Sequence, residues 1–245
     1  MKQNKYDDQA FFDKYSKMER SQKGLEGAGE WHELQKWLPD FQGKRVLDLG
    51  CGYGWHCRYA AEHGALSVVG IDLSEKMLNE AKNRTKSEKI RYIRMPIEDI
   101  DFPEESFDVV ISSLALHYVL SFEDVLGRIG KCLAKGGDFV FTVEHPVFTA
   151  QGPQDWCYDH QGNKRHWPVD HYFQEGIRKA VFLGEEVIKY HRTLTTYLNG
   201  LIQAGFEIKG VVEPSPAEEM LDTITGMSDE LRRPMMLIVS ARKKE

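Results

Sequence analysis

A chain of 245 residues with 41% hydrophobic content can bury a full core, and a single domain spanning 1–245 is the expectation. A net charge of −6 argues against a general nucleic-acid binder, whose phosphate contacts need a basic surface, and no apolar run approaches the length of a membrane span. The N-terminus lacks the apolar core of a signal peptide, and Cys51, Cys57, Cys132 and Cys157 show neither a C-x-x-C pair nor zinc spacing. A reduced, cytoplasmic protein with no metal, no nucleic-acid partner and no membrane insertion is therefore expected.

From the start, an aromatic stripe of Tyr6, Phe11, Phe12 and Tyr15 in a polar stretch running to Arg20 reads as helix, part of a helical cap over residues 1–40. Three glycines between Ser21 and Gly29 suggest a mobile hinge. Trp31, Leu34, Trp37 and Leu38 then fall at helical spacing until Pro39 stops the helix. Residues 44–143 alternate apolar strands with helical stretches, the pattern of an α/β fold with a parallel sheet covered on both faces. The first unit, Arg45-Val-Leu-Asp-Leu-Gly-Cys-Gly-Tyr-Gly-Trp55, is a buried strand broken by glycines at 50, 52 and 54 and followed by a helix. Glycine keeps the backbone there open to a ligand, and free N–H groups at the helix start make a polar cradle.

The spacing of those glycines narrows the ligand. A dinucleotide fingerprint is G-x-G-x-x-G, and Trp55 holds the place of its third glycine, which counts against a pyrophosphate. The second strand, Leu66 to Ile71, ends in Asp72, whose carboxylate can accept both hydroxyls of a ribose. Ser74 caps a helix from Glu75 to Lys86, Ile90 to Arg94 forms the third strand, and Phe107 to Ser112 the fourth. That fourth strand delivers Ser112 and Ser113 to the crevice where open α/β sheets bind ligands. Ser121 starts a helix to Ala134, and Gly136-Gly137 turns into a fifth strand, Asp138 to Val143.

Four segments in order carry a resemblance: Val46-Leu-Asp-Leu-Gly-Cys-Gly-Tyr-Gly54, Val69-Gly-Ile-Asp-Leu-Ser74 with Met77, Phe107-Asp-Val-Val-Ile-Ser-Ser113, and Leu133-Ala-Lys-Gly-Gly137. With them the chain resembles the class I S-adenosylmethionine-dependent methyltransferases, in particular the small-molecule branch that includes ubiquinone and menaquinone biosynthesis. The resemblance implies a Rossmann-like, doubly wound, mostly parallel seven-stranded sheet with an antiparallel C-terminal hairpin, a cofactor-binding core over 44–143, and S-adenosyl-L-methionine as cofactor. It assigns cofactor contacts to Asp48, Gly50, Cys51 and Gly52 on the loop, to Asp72, Leu73 and Met77 after the second strand, and to Ser112 and Ser113. Tyr15 and Arg20 become candidates for the methionine end, where Arg20 would neutralise a carboxylate. Pro96 occupies the usual place of an acidic adenine contact, which leaves the Ile97 backbone and Glu98 as candidates. His117, implied near the sulfur, reads as a packing residue among leucines. The implied activity is methyl transfer to a small-molecule acceptor by in-line displacement; the other readings are a nicotinamide-dependent oxidoreductase and a non-catalytic cofactor-binding regulator.

Chemistry particular to this chain is expected after the fifth strand, where Glu144-His145-Pro146 sits at the edge from which such sheets address substrates. His145 is a candidate general base, since an imidazole titrates near neutral pH, and Glu144 is a second. Residues 147–185 form a long aromatic insertion, either a lid whose Trp156 and Tyr172 touch the acceptor or a homodimer contact. His145, His160, His166 and His171 match no compact metal-ligand spacing. Residues 186–245 are expected to complete the sheet, with a strand-like Glu186 to His191, His191 and Arg192 facing the pocket or pairing with acidic surface, and a helix to Ala204 ended by Gly205. Strands Phe206 to Val212 and Pro234 to Ala241 follow.

Overall fold

Seven strands make the central sheet of the computed structural model, which describes residues 4–245. The chain enters through α1 (Gln9–Tyr15), α2 (Glu19–Gln22) and α3 (Trp31–Trp37). It then alternates β1 (Arg45–Leu49), α4 (Trp55–Glu62), β2 (Ser67–Asp72), α5 (Glu75–Arg84), β3 (Ile90–Arg94), β4 (Phe107–Ser113), α6 (Phe122–Cys132) and β5 (Leu133–Glu144). The short α7 (Pro146–Thr149) leads to two hairpins, β6 (Cys157–Tyr158) with β7 (Lys164–His166) and β8 (Gly176–Phe182) with β9 (Glu185–His191). The chain closes with α8 (Leu194–Gln203), β10 (Phe206–Val212), α9 (Glu218–Thr223) and β11 (Met236–Lys243).

Side-chain alternation along the strands decides how the sheet is covered. Leu47 and Leu49 of β1 and Ile71 of β2 pack with Phe122, Val125 and Ile129 of α6 and Tyr197 of α8. Val46 and Val68 turn the other way, onto Cys57 and Ala60 of α4 and Leu78 of α5, while Trp31 and Leu34 of α3 cover Val140 and Ile238. The strand order is β10-β11-β5-β4-β1-β2-β3; β11 runs antiparallel to both neighbours, and the remaining pairings are parallel. This is the doubly wound, Rossmann-like arrangement with an antiparallel C-terminal pair that the sequence implies. The order reverses between β1 and β4, which opens a crevice beyond Leu49 and Ser113. Both expected helix caps form, with Ser74 Oγ accepting from Met77 N and Ser121 Oγ from Asp124 N, each at 3.2 Å.

Three expectations about the path of the chain need correction. Tyr6 to Arg20 is not one helix: Lys5–Asp7 is a 3₁₀ turn, and α1 and α2 are separate. Asp8 caps α1 by accepting from Phe11 N at 2.9 Å, and Asp7 reaches away to accept from Ser74 Oγ at 2.5 Å and Lys76 N at 3.1 Å. These two carboxylates bend the segment and pin it to the start of α5. The stretch 21–29 is not free of structure either: Gly24–Gly27 forms a 3₁₀ turn between α2 and α3. A Cβ on Gly24, at φ +68°, would lie 2.7 Å from the Trp55 ring, so glycine permits close approach there. Finally, β9 lies outside the central sheet and pairs with β8, because Leu183 and Gly184 (φ +55° and +77°) make a tight turn that returns the strand onto its neighbour. Among the described residues no helix is long and apolar enough to cross a membrane, and no group of three or more His, Cys, Asp or Glu side chains is placed to hold a metal ion.

Candidate active site

β1 hands the chain to a loop in which Gly50, Gly52 and Gly54 all adopt left-handed φ, at +74°, +51° and +71°. A Cβ on Gly50 would come 2.4 Å from Ala115 Cβ, whereas one on Gly52 would meet nothing within 4 Å. Gly52 borders a cavity of about 540 Å³, which lies in the range of roughly 300–1,000 Å³ usual for ligand pockets. Asp72, at the end of β2, is aimed by two backbone donors: Gly52 N to Oδ2 at 2.9 Å and Ser74 N to Oδ1 at 2.8 Å. Burial pushes its pKa up to about 6, against the pull of those two N–H groups. Across the crevice Leu114 takes a left-handed φ of +51°, held by its N–H donating to Thr142 O at 2.9 Å and Oγ1 at 3.0 Å. Backbone strain of this kind collects at ligand sites.

The cavity brings together Tyr15, Arg20, Gly50, Gly52, Asp72, Leu73, Met77, Ile97, Glu98 and Ser113, all expected as cofactor contacts. Three others stay outside its wall. Strand alternation turns Asp48 away, to accept from Cys57 Sγ at 3.2 Å, and its burial raises its pKa to about 7. The Cys51 thiol is buried beside that pair and pushed up to about 11. Ser112 Oγ donates to Leu49 O at 2.9 Å and ties β4 to β1. Arg20 faces the cavity while one of its nitrogens sits 2.7 and 2.9 Å from the oxygens of Glu30, which is 1% exposed. Above these groups the Tyr6 ring meets Tyr15 edge-on at 5.2 Å and Tyr118 at 6.4 Å.

Glu144 lines the cavity, and His145 does not. Burial alone would raise the Glu144 pKa, but His117, Lys189 and the Gln154 amide outweigh it and hold the carboxyl below its ordinary range. Lys189 Nζ lies 2.5 Å from Oε1, and Gln154 Nε2 donates to Oε2 at 2.8 Å. His145 points away: its Nδ1 accepts from Val147 N at 3.0 Å, and Nε2 lies 2.8 Å from Glu213 Oε1. His145 thus does not face the cavity. His117 does line the cavity; its Nδ1 accepts from Glu144 N at 3.3 Å, and burial pushes its pKa down to about 4.

The four expected acceptor contacts are also set back from the wall. Trp156 packs edge-on against Trp167 at 5.4 Å with the Arg232 guanidinium 4.5 Å over its ring. His191 Nε2 donates to Tyr172 O, so Nδ1 accepts from Thr149 Oγ1, both at 2.8 Å. The Tyr172 hydroxyl takes Leu194 N at 3.3 Å. Arg192 donates to the carbonyls of Val119 and Leu120, and so holds the turn that presents Tyr118. Leu120, Phe182, Val187, Ile188, Tyr190 and Met235 line the cavity instead. Of these, Phe182 lies in the insertion, on β8, whereas Val187, Ile188 and Tyr190 belong to β9. Trp55, at the place of a third glycine, packs under Arg58 at 4.3 Å and outside the cavity.

Residues 47–141 match a family model described as a methyltransferase domain. A solved structure from Listeria monocytogenes, described as an S-adenosylmethionine-dependent methyltransferase, is 58% identical, covers 91% of this chain and all of its own, and superposes with a TM-score of 0.86. A second, from Mesorhizobium loti and of the same description, is 45% identical over 90% of this chain and all of its own, with a TM-score of 0.83. A methyltransferase of Synechocystis is 31% identical over 68% of each chain.

Proposed function

We propose, since this chain belongs to the class I S-adenosylmethionine-dependent methyltransferases, that it methylates a small molecule with an apolar body inside this cavity. The observation that carries the reading is the acceptor end of the cavity. Its wall is drawn from the 116–120 turn, the β8–β9 hairpin and the stretch before β11, and Tyr6 and Tyr15 of the N-terminal segment roof it. Such an enclosure suits a compact molecule and gives a polymer little to lie along.

S-adenosyl-L-methionine supplies, when bound, a methyl group on positively charged sulfur that is already activated for displacement. The residues present fit it. The open edge of Gly52 leaves room for a ligand against the backbone, Asp72 is oriented to accept ribose hydroxyls, and Ile97, Leu73 and Met77 offer apolar surface beside it. Arg20 is the cation suited to a carboxylate at the other end. What remains for the protein is alignment and exclusion of water, and the strapped-down N-terminal segment serves both. No covalent nucleophile is required.

Purified protein incubated with methyl-labelled S-adenosylmethionine and, in parallel, a small-molecule extract, total tRNA and a protein extract tests this. Label is expected among the small molecules; label found only on tRNA or protein would overturn the reading. Asp72 makes a separate prediction. Its anion is the form that accepts two hydroxyls, and its pKa lies at about 6. Affinity for S-adenosylhomocysteine should therefore weaken roughly tenfold between pH 7 and pH 5 as the carboxylate is protonated. Calorimetric titration across that range checks it, and a flat profile would remove Asp72 as the ribose acceptor.

A further inference from the structure

Two ion pairs stand at the cavity, and each shows it only one partner. Arg20 lines the wall while Glu30 is buried behind it at 1% exposure; Glu144 lines the wall while Lys189 is buried behind it at 2%. The cavity wall thus carries Arg20 and Glu144 together with Lys5, Asp72, Glu98, Asp124 and Arg128, and Tyr118 lies within electrostatic reach of both Arg20 and Glu144. Beside Tyr118 stand Tyr6 and Tyr15, and its ring is tilted against His117 at 4.5 Å. A carboxylate together with aromatic rings is the chemistry that recognises an organic cation.

The geometry points to an amine as the methyl acceptor, a nitrogen on an apolar body held between the Glu144 carboxylate and the rings of Tyr6 and Tyr118. This rests on the small-molecule reading above. The chemistry of transfer agrees with the cage. The neutral amine, its proton already given to water, donates its lone pair to form the N–C bond as the C–S bond breaks with its electrons passing to sulfur. Positive charge leaves sulfur and arrives on nitrogen, which is where the carboxylate and rings are placed to meet it. An acceptor hydroxyl would need a base, and the groups on this side offer none poised near neutrality: burial pushes the tyrosines up and His117 down, and Glu144 is held low. A carboxylate or thiolate acceptor would face the Glu144 anion.

Three probes of like size separate the possibilities by calorimetry on the protein saturated with S-adenosylhomocysteine: (4-hydroxyphenyl)trimethylammonium, its neutral isostere 4-tert-butylphenol, and 4-hydroxyphenylacetate. The cation is expected to bind at least tenfold tighter than the isostere and the anion weakest. That preference should shrink to less than threefold in the charge-matched double variant Glu144→Gln with Lys189→Met, and independently in Tyr118→Leu. Equal binding of cation and isostere, a preference for the anion, or an undiminished preference in both variants would overturn the amine inference alone. Failure of all three probes to bind would overturn the amine inference as well, whereas methyl label found only on tRNA or protein would overturn the small-molecule reading beneath it.

Discussion

Replacing Gly52 with valine is expected to abolish binding of S-adenosylhomocysteine, a loss of at least about 100-fold, in a protein that still folds. The new Cβ would meet no atom within 4 Å beyond the adjoining residues, and Gly52 lines the cavity that would hold the ligand. The cost to the fold is that of a branched residue at φ +51°, about 1–2 kcal/mol. Gly43 supplies the control. It has φ +71° and equally open surroundings but lies outside the cavity wall, so Gly43→Val should incur similar strain and leave binding intact. Titration calorimetry beside a thermal melt separates the two effects. An unaltered isotherm in Gly52→Val would end the case for the cradle.

Lys189→Met should destabilise the fold more than any of the other substitutions. Removing the ammonium leaves the Glu144 carboxylate largely buried with, among the described residues, only Gln154 donating to it, and breaking a buried pair from one side costs about 3–5 kcal/mol. In a chain of this length that corresponds to a fall in Tm of roughly 10 °C. Adding Glu144→Gln should recover most of the loss, because two neutral groups replace two charges and neither is stranded. A single Lys189→Met variant that melts within about 2 °C of the parent would show that the pair contributes little.

Position at the end of a strand is an insufficient guide to which side chain faces the site. Glu144 and His145 are consecutive, and alternation sends the first into the cavity and the second toward Glu213. The titration range of an imidazole favours His145, whereas strand period carries the signal for Glu144. The same holds in β9, where Tyr190 lines the cavity and His191 turns back to Tyr172 and Thr149. Asp48 follows the rule too, since it shares the face of Val46. Tyr118 and Tyr6 are visible in the sequence only as aromatic residues, and nothing local marks two rings more than a hundred positions apart as neighbours.

The amino-acid sequence by itself determined the cofactor half of this protein. Strand length, the glycine turn, the acid that ends β2 and the helix caps act over a few residues each, and their order along residues 45–143 is enough to wind the sheet and place the crevice. Tertiary structure alone decided the rest of the cavity. It is assembled by pairs distant along the chain: Arg20 with Glu30, 10 residues apart, Glu144 with Lys189, 45 apart, and Asp7 with Ser74, 67 apart. Which member of the two ion pairs is buried and which lines the cavity depends on how the N-terminal segment and the β8–β9 hairpin close over the sheet. That closure is set by packing and desolvation summed over many contacts, and no spacing rule along the chain encodes it.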